Sequence, residues 1–353
     1  MTAARNEREH RPPLALTMGE PAGIGPDISL LAWLKARSVG AAPRFFMLAC
    51  PATLSDRARA LGLEVPIAEI ATAEEAAPRF AEALPVLPIR CPHPVVAGTP
   101  HARAAVAVIG AIELATRLVH DGHAAAVVTN PIAKRTLQSA GFAHPGHTEF
   151  LAELAARVWG GTAPLPVMML VCDALRVVPL TIHVPLARVP ALISRQLIQD
   201  TVRITARALA TDFGVSSPRI AVAGLNPHAG EAGMLGSEEL TTIAPAIADL
   251  QREGLAVSGP LSADTMFHAG ARARYDAAVT MYHDQALIPI KTLAFEDGVN
   301  VTLGLPFVRT SPDHGTAFDI AGTGKASPAS LIAALALADE LARRRARVAV
   351  AGS

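Results

Sequence analysis

The sequence predicts a two-domain α/β protein with largely parallel sheets, and three observations carry that prediction. Short apolar runs alternate with segments of helical periodicity from end to end, the pattern of successive strand–helix–strand units. At 353 residues the chain exceeds what one hydrophobic core ordinarily organises. It is 51% hydrophobic but only 4% aromatic, so small aliphatic side chains do the filling, as suits buried parallel strands under Ala- and Leu-rich helices.

Each element can be justified in chain order. "LALTM" (14–18) reads as a strand, and "PDISLLAWLKARS" as a helix with Pro26 in its first turn, where no N–H is needed. "RFFMLA" (44–49) is a second strand. A helical pattern over 101–122 stops at Gly122, and "AAAVVT" (124–129) returns as a strand. The helix "TEFLAELAARVWGG" precedes "LPVMMLV" and "LRVVPLTIH", then come a long helix near 191–211 and "RIAVAGL". "SEELTTIAPAIADLQREG" (237–254) reads as a helix capped by Ser237, and the last helix starts near Pro328 with Ser327 as its cap. No repeat or low-complexity linker separates two beads, so the two expected domains exchange the chain more than once.

Composition excludes several classes. Net charge is zero and the isoelectric point is near 7.2, so neither a nucleic-acid footprint nor a polybasic membrane patch is present. Cys50, Cys91 and Cys172 form no CxxC pair, which points to a reducing cytoplasm rather than a disulfide framework. The opening "MTAARNEREHRPP" lacks the apolar core of a signal peptide, and no 18-residue apolar run occurs. Only four lysines occur among 31 basic residues, and three of them, Lys134, Lys291 and Lys325, fall in the unusual stretches.

Three apolar runs end alike: "LRVVPLTIH" at His183, "RIAVAGLNPH" at His228 and "DAAVTMYH" at His283. Ligands of open α/β sheets gather outside the carboxyl ends of strands, and three imidazoles there suit a zinc-like ion with open positions. For any one of them a satisfied loop histidine is the ordinary reading; for three at equivalent places the two readings weigh evenly. His147 and Thr148 open a helix, where free N–H groups favour an anion, although Thr148 is equally a plain N-cap. Lys134, Arg135 and His144 lie close by in sequence, and that capping role leaves them unexplained. Lys291, Asn300 and Arg309 flank "VTLGLPF" and offer the cations and amide a phosphate or carboxylate needs. "DHGTAFDIAGTGKASP" (313–328) is not a P-loop and "GEPAGIGPD" (19–27) is not GxGxxG, so no Rossmann dinucleotide signature exists.

"GEPAGIGP", "GHTEFLA", "LTIHVPL", "LNPHAGE", "GPLSADTMFH", "MYHDQALIPIK" and "GVNVTLGLPFVRTSPDHGTAFDIAGTGKA", in this order, closely resemble the 4-hydroxythreonine-4-phosphate dehydrogenase family of pyridoxal phosphate synthesis. The likeness runs from about Leu14 to the last helix. The 313–328 segment also looks like the adenosine-binding loop of isopropylmalate and isocitrate dehydrogenases, which implies their two-domain, non-Rossmann fold. The resemblance implies metal ligands at His183, His228 and His283, with the ion (zinc, magnesium or cobalt) shared across a homodimer interface. It implies substrate contacts at His147, Thr148, Lys291, Asn300 and Arg309, and binding of NAD, with NADP as the alternative, by His314, Gly315, Thr316, Ala317, Asp319 and Gly322. The expected NAD-binding domain is therefore 1–130 with 300–353, and the metal-binding and dimerisation domain 131–299. Asp264 and Asp284 are expected as general base or as partners that orient a histidine. Ala286 after "HDQ" and the acidic "FEDG" depart from the family pattern and leave fine specificity open.

The implied reaction is NAD-dependent oxidation of 4-phosphohydroxy-L-threonine at C3 to a β-keto acid, which decarboxylates to 3-amino-2-oxopropyl phosphate. The rivals are a dehydrogenase of erythronate or threonate 4-phosphate, one acting on a cyclic dihydrodiol carboxylate, and a catalytically silent α/β small-molecule binder. No nucleic-acid or membrane partner is expected.

Overall fold

The computed structural model describes residues 11–38, 42–91, 94–142, 144 and 146–351. The chain forms two compact units, Met1–Leu165 with Leu305–Ala342 and Pro166–Gly304 with Arg343–Ser353. The chain passes between the units more than once, and the segment 131–165 belongs to the first unit.

The first unit holds β1 (Leu14–Thr17), β2 (Phe45–Ala49), β3 (Ile67–Glu69), β4 (Leu84–Pro88), β5 (Val127–Thr129) and β12 (Arg309–Pro312). Their order is β3-β4-β2-β1-β5-β12, parallel throughout. All residues of β1 and β2 are buried, which explains their unbroken apolar runs: a strand covered on both faces has no polar side to alternate with. The helices α1 (Gly25–Ser38), α2 (Pro51–Ala60), α3 (Ala105–His120) and α4 (His147–Trp159) belong to this unit, and α3 packs on β1 and β2. On α1, Trp33 is fully buried and donates its indole N–H to the Phe80 carbonyl at 3.0 Å.

One buried ion pair joins the two glycine-rich loops of this unit. Arg57 on α2 pairs with Asp27 in the first turn of α1, and also donates to the Gly23 and Pro21 carbonyls at 2.9 and 3.3 Å. The other Asp27 oxygen accepts from the Gly322 N–H at 2.7 Å, and Ile24 donates to the Thr316 carbonyl at 2.9 Å. Gly23 is glycine because a Cβ there would sit 2.7 Å from the Thr316 carbonyl oxygen. "GEPAGIGPD" and "DHGTAFDIAGTG" are therefore two faces of one small structure.

The second unit holds β6 (Val167–Cys172), β7 (Leu175–Pro179), β8 (Arg219–Ala223), β9 (Ala256–Leu261), β10 (Ala277–Thr280) and β11 (Val299–Leu303), ordered β11-β6-β7-β10-β8-β9. From β7 to β9 the sheet is parallel, while β11, β6 and β7 pair antiparallel. Helices α5 (Arg195–Thr211), α6 (Ala244–Arg252) and α7 (His283–Leu293) complete it, and the closing helix α8 (Ala329–Ala351) contributes residues to each unit. Leu170, Val177, Ala221, Ala278 and Ile290 share its core, where burial pushes the Tyr275 phenol up to about 12 and its hydroxyl donates to the Met266 carbonyl at 2.8 Å.

Two segments take local shapes that periodicity does not give. Within "MYHDQALIPIK" a helix follows the strand end: β10 stops at Thr280 and α7 starts at His283. Gln285 causes the switch, because its side-chain oxygen takes the Met281 N–H at 2.7 Å while Asp284 lies in the helix first turn. The helix expected over 237–254 instead begins as a π-helical turn, Glu239–Ile243, before α6.

Both members of the Asp27–Arg57 pair are at least 95% buried, so removing one strands the other's charge. Arg57→Met is expected to destabilise the protein by about 3–5 kcal/mol in denaturant unfolding. The double variant Arg57→Met with Asp27→Leu should recover much of that loss.

Candidate active site

The parallel neighbours β7, β10 and β8 place three histidines past adjacent carboxyl ends: His183, His283 and His228. The His183 and His283 rings lie 5.6 Å apart between centroids, tilted by 40°. With Thr181, Tyr282 and Asp284 they line a cleft of ≈ 230 Å³. Asp284 contacts His283 Nδ1 at 2.8 Å, which leaves Nε2 for a ligand. Gln285 donates to the Gly224 carbonyl at 2.9 Å and so ties the end of β10 to the end of β8. His228 itself is exposed near Asp264. The Ser262 hydroxyl, at 2.5 Å, the residue's own backbone N–H and the neighbouring His228 hold the Asp264 carboxyl below the usual range. Among the described residues, no three His, Cys, Asp or Glu side chains converge as a metal-ligand group. One chain therefore brings together two of the three expected ligands.

Backbone strain is concentrated in the same places. The described non-glycine residues in left-handed backbone are His183, His228, Ala229, Glu231, Ala232 and Ala317. Two are expected ligands, three come directly after His228, and Ala317 lies in the expected cofactor loop. Each such residue costs about 1–2 kcal/mol, which the surrounding structure must offset.

The first unit builds an anion site. Arg309 opens β12, is 3% exposed, and donates to Thr129 Oγ1 at 2.6 Å. Burial lowers its guanidinium to about 10, which still leaves it cationic at neutral pH. His147 and Thr148 open α4 behind Gly146, an N-cap with no side-chain acceptor of its own. His147 as a residue is half-buried, but its Nε2 is sealed from solvent and has no hydrogen-bond partner among the described residues. Burial first, then the Arg309 and Lys134 charges, hold its imidazole well below its ordinary value. Lys134 Nζ would lie 3.6 Å from a Cβ placed on Gly146, so the lysine sits over the same helix start. Two cations, a neutral imidazole and a free helix N-terminus suit an anion. His144, by contrast, lies 3.1 Å from Glu153 and against Phe142 and Phe150, which accounts for it structurally.

In the second unit, the Lys291 ammonium stands 5.5 Å from the Phe295 ring centroid, and Asn300 on β11 has its side-chain oxygen buried without a partner among the described residues. His314, Gly315 and Asp319 are exposed, while Thr316 and Gly322 are bonded to the loop of residues 19–27 through Ile24 and Asp27. Sequence reasoning missed Thr129, Gln285 and the Asp27–Arg57 pair. Gln285 was legible as the residue after "HD", but its bond to Gly224 spans 61 residues and had no sequence signal.

Residues 41–338 match the family described as pyridoxal phosphate biosynthetic protein PdxA, and the chain belongs to that family. It is 58% identical over 338 residues to a 4-hydroxythreonine-4-phosphate dehydrogenase of Bradyrhizobium diazoefficiens, across 94% of this chain and 97% of the relative. The crystal structure of 4-hydroxythreonine-4-phosphate dehydrogenase from Klebsiella pneumoniae is similar with a TM-score of 0.81 and 38% identity, over 94% and 99% of the two chains. A terephthalate 1,2-cis-dihydrodiol dehydrogenase from Burkholderia xenovorans is less similar, with a TM-score of 0.61 and 26% identity over 93% and 98%.

Because the folded protein keeps His147 neutral, its pKa lies below the unfolded value of about 6.5. The unfolded chain then binds more protons in the window below that value, and stability falls as pH drops through it. Thermal melts between pH 7 and 5 should show a steeper loss for the natural chain than for His147→Gln. Equal slopes would place the imidazole in solvent.

Proposed function

We propose that this protein oxidises the C3 hydroxyl of 4-phosphohydroxy-L-threonine with NAD, giving a β-keto acid that loses carbon dioxide to form 3-amino-2-oxopropyl phosphate. The observation that carries the phosphate class is the buried Arg309 beside a neutral His147 at the start of α4, a site for a compact anion. The high identity to relatives named for this reaction supports the amino acid over its sugar-acid analogues. His147, Thr148 and Arg309 hold the phosphate, with Lys134 adding charge, and Lys291 and Asn300 are further substrate contacts. His314, Gly315, Thr316, Ala317, Asp319 and Gly322 receive NAD, or NADP, on a loop kept rigid by Asp27.

His183, His283 and His228 are suited to a divalent ion such as zinc, cobalt or magnesium: they are imidazoles past adjacent strand ends, and Asp284 directs His283 through Nδ1. When bound there, such an ion would lower the pKa of the C3 hydroxyl and polarise the carbonyl that replaces it, and NAD held by residues 314–322 would accept the C3 hydride. Asp264, ionised at neutral pH and close to His228, is the candidate acceptor of the hydroxyl proton, because Asp284 is engaged with His283. The C2–carboxylate bond then breaks, its electron pair passes to the C3 carbonyl, and a proton completes the product.

The active form is a homodimer whose metal site is shared between subunits, so that histidines of one chain are completed by a histidine of its partner. Leu186, Met234, Leu240, Ile288 and Phe295, each more than half exposed, lie near the three histidines in sequence and give this unit an apolar surface that a second copy would cover. No described helix is long and apolar enough to cross a membrane.

The deciding assay is NADH formation at 340 nm with 4-phosphohydroxy-L-threonine, erythronate 4-phosphate and threonate 4-phosphate, with NAD and NADP. Preference for a sugar acid would select the paralogous reading, and binding without turnover would select the silent binder. Replacing His183, His228 or His283 by Ala should abolish turnover, and chelator-treated protein should recover with a divalent ion. Mixing inactive His228→Ala and His283→Ala proteins should restore part of the activity once subunits exchange. Full activity without metal would remove the ion from the mechanism.

Lys291→Ala and Arg309→Ala should each lower kcat/KM for the phosphorylated substrate roughly tenfold to a hundredfold, the equivalent of about 1.5–3 kcal/mol for a charge-assisted hydrogen bond. Arg309→Lys should recover little if the contact is bidentate. The KM for NAD should hardly move; a selective effect on NAD would reverse the division between substrate and cofactor residues.

A further inference from the structure

The loop that carries His228 is a left-handed turn. Five consecutive residues have positive φ: His228 at 52°, Ala229 at 52°, Gly230 at 79°, Glu231 at 43° and Ala232 at 55°. Only one of the five is glycine, so the backbone preference of the other four opposes the turn. The turn makes bonds of its own, among them Ala229 N–H to Asn226 O at 3.1 Å, Met234 N–H to Glu231 O at 3.2 Å and Leu235 N–H to Gly230 O at 3.1 Å. A group outside the turn holds it as well.

That group is Glu239. Its side chain is 2% exposed, and its first carboxylate oxygen accepts the Leu225 and Asn226 backbone N–H groups at 2.8 and 2.7 Å. Its second oxygen accepts the Asn226 side-chain amide at 2.9 Å, and that amide also reaches Glu238 at 2.8 Å. The glycines of this segment record how tightly the loop wraps the carboxylate. A Cβ on Gly230 would come within 2.6 Å of the second Glu239 oxygen, and one on Gly236 within 2.2 Å of the Asn226 amide nitrogen. Glu239 starts the π-helical turn, with the Ala244 N–H bonding its carbonyl, and this widened turn is where the following helix meets the loop. A carboxylate held by the N–H groups of residues 225 and 226 sets the direction in which the chain enters His228 two residues later.

We propose that Glu239 is the positioning residue for His228: its carboxylate selects the left-handed turn and so fixes where the imidazole is presented. The functional consequence rests on the reading of His228 as a metal ligand. Glu239 need touch neither metal nor substrate.

The test uses the full chain after chelator treatment, with Co²⁺ as probe. Its visible absorption reports coordination, and competition with a chelator reports affinity. Glu239→Gln keeps one oxygen for the N–H donors of residues 225 and 226 but sets an amide NH₂ against the Asn226 side-chain amide and removes the charge, and should weaken Co²⁺ binding at least tenfold. It should also speed amide hydrogen exchange across 226–235. Asn226→Ala, a milder change that keeps the carboxylate, should move both readouts the same way by less, and serves if Glu239→Gln fails to fold. Leu250→Ala, a core truncation on α6, is the control for general destabilisation and should leave Co²⁺ affinity unchanged. Placing glycine in the turn by Ala232→Gly should restore part of the affinity lost in Glu239→Gln, because it removes the backbone penalty that the carboxylate offsets.

Unchanged exchange and unchanged Co²⁺ affinity in folded Glu239→Gln would overturn the proposal, as would an equal loss in Leu250→Ala. If the natural chain fails to bind Co²⁺, the metal reading falls, and hydrogen exchange alone decides whether Glu239 holds the turn.

Discussion

The parallel hydrogen-bonded register of β7, β10 and β8 is the constraint on which the second unit's chemistry depends. Val279 of β10 is aligned with Val178 on one side and Val222 on the other, so the three strands end at one edge of the sheet. Backbone pairing inside an apolar sheet cannot slip without stranding N–H and C=O groups. Chain leaving each strand therefore emerges beside its neighbours, and residues far apart in sequence meet there. Gln285 reinforces this by bonding across from the start of α7 to Gly224.

The segments that leave these strands are irregular, and two of them are strained. His183 and His228 both sit in left-handed backbone, and His283 opens a helix whose preceding Met281 N–H is satisfied by a side chain. Strain of this kind persists only where rigid structure surrounds it. Here the rigidity comes from buried polar anchors: Glu239 behind the His228 turn, and in the first unit Asp27 and Arg57 behind the two glycine-rich loops. Each anchor is a charged group buried for the sake of a neighbouring loop, and each bonds to backbone groups of the loop it holds.

The anion site of the first unit obeys a different principle. Arg309 and His147 are buried together, so their cationic forms compete, and the more easily titrated group yields: His147 stays neutral while Arg309 keeps its charge at neutral pH. An arriving anion would relieve that competition, and this makes the site responsive to charge as well as to shape.

Much of this was legible in the amino-acid sequence, because local patterns are set by local physics. Unbroken apolar runs announced strands buried on both faces, the strand-end histidines stood out against their surroundings, and the motifs identified the family. Other features were decided only by tertiary structure. "ALIPIK" carries no helical signature and becomes helix because Gln285 closes on Met281. The helix expected over 237–254 opens as a π turn because Glu239 is drawn back to residues 225 and 226. The edge β11-β6-β7 is antiparallel, although the strands read like the others. The pairing of His183 with His283, rather than a closed set of three within one chain, likewise depends on where loops from distant strands settle. Periodicity reports which face of a segment is buried, whereas a hydrogen bond between segments 61 residues apart, such as Gln285 to Gly224, arises only once the sheet has brought their ends together.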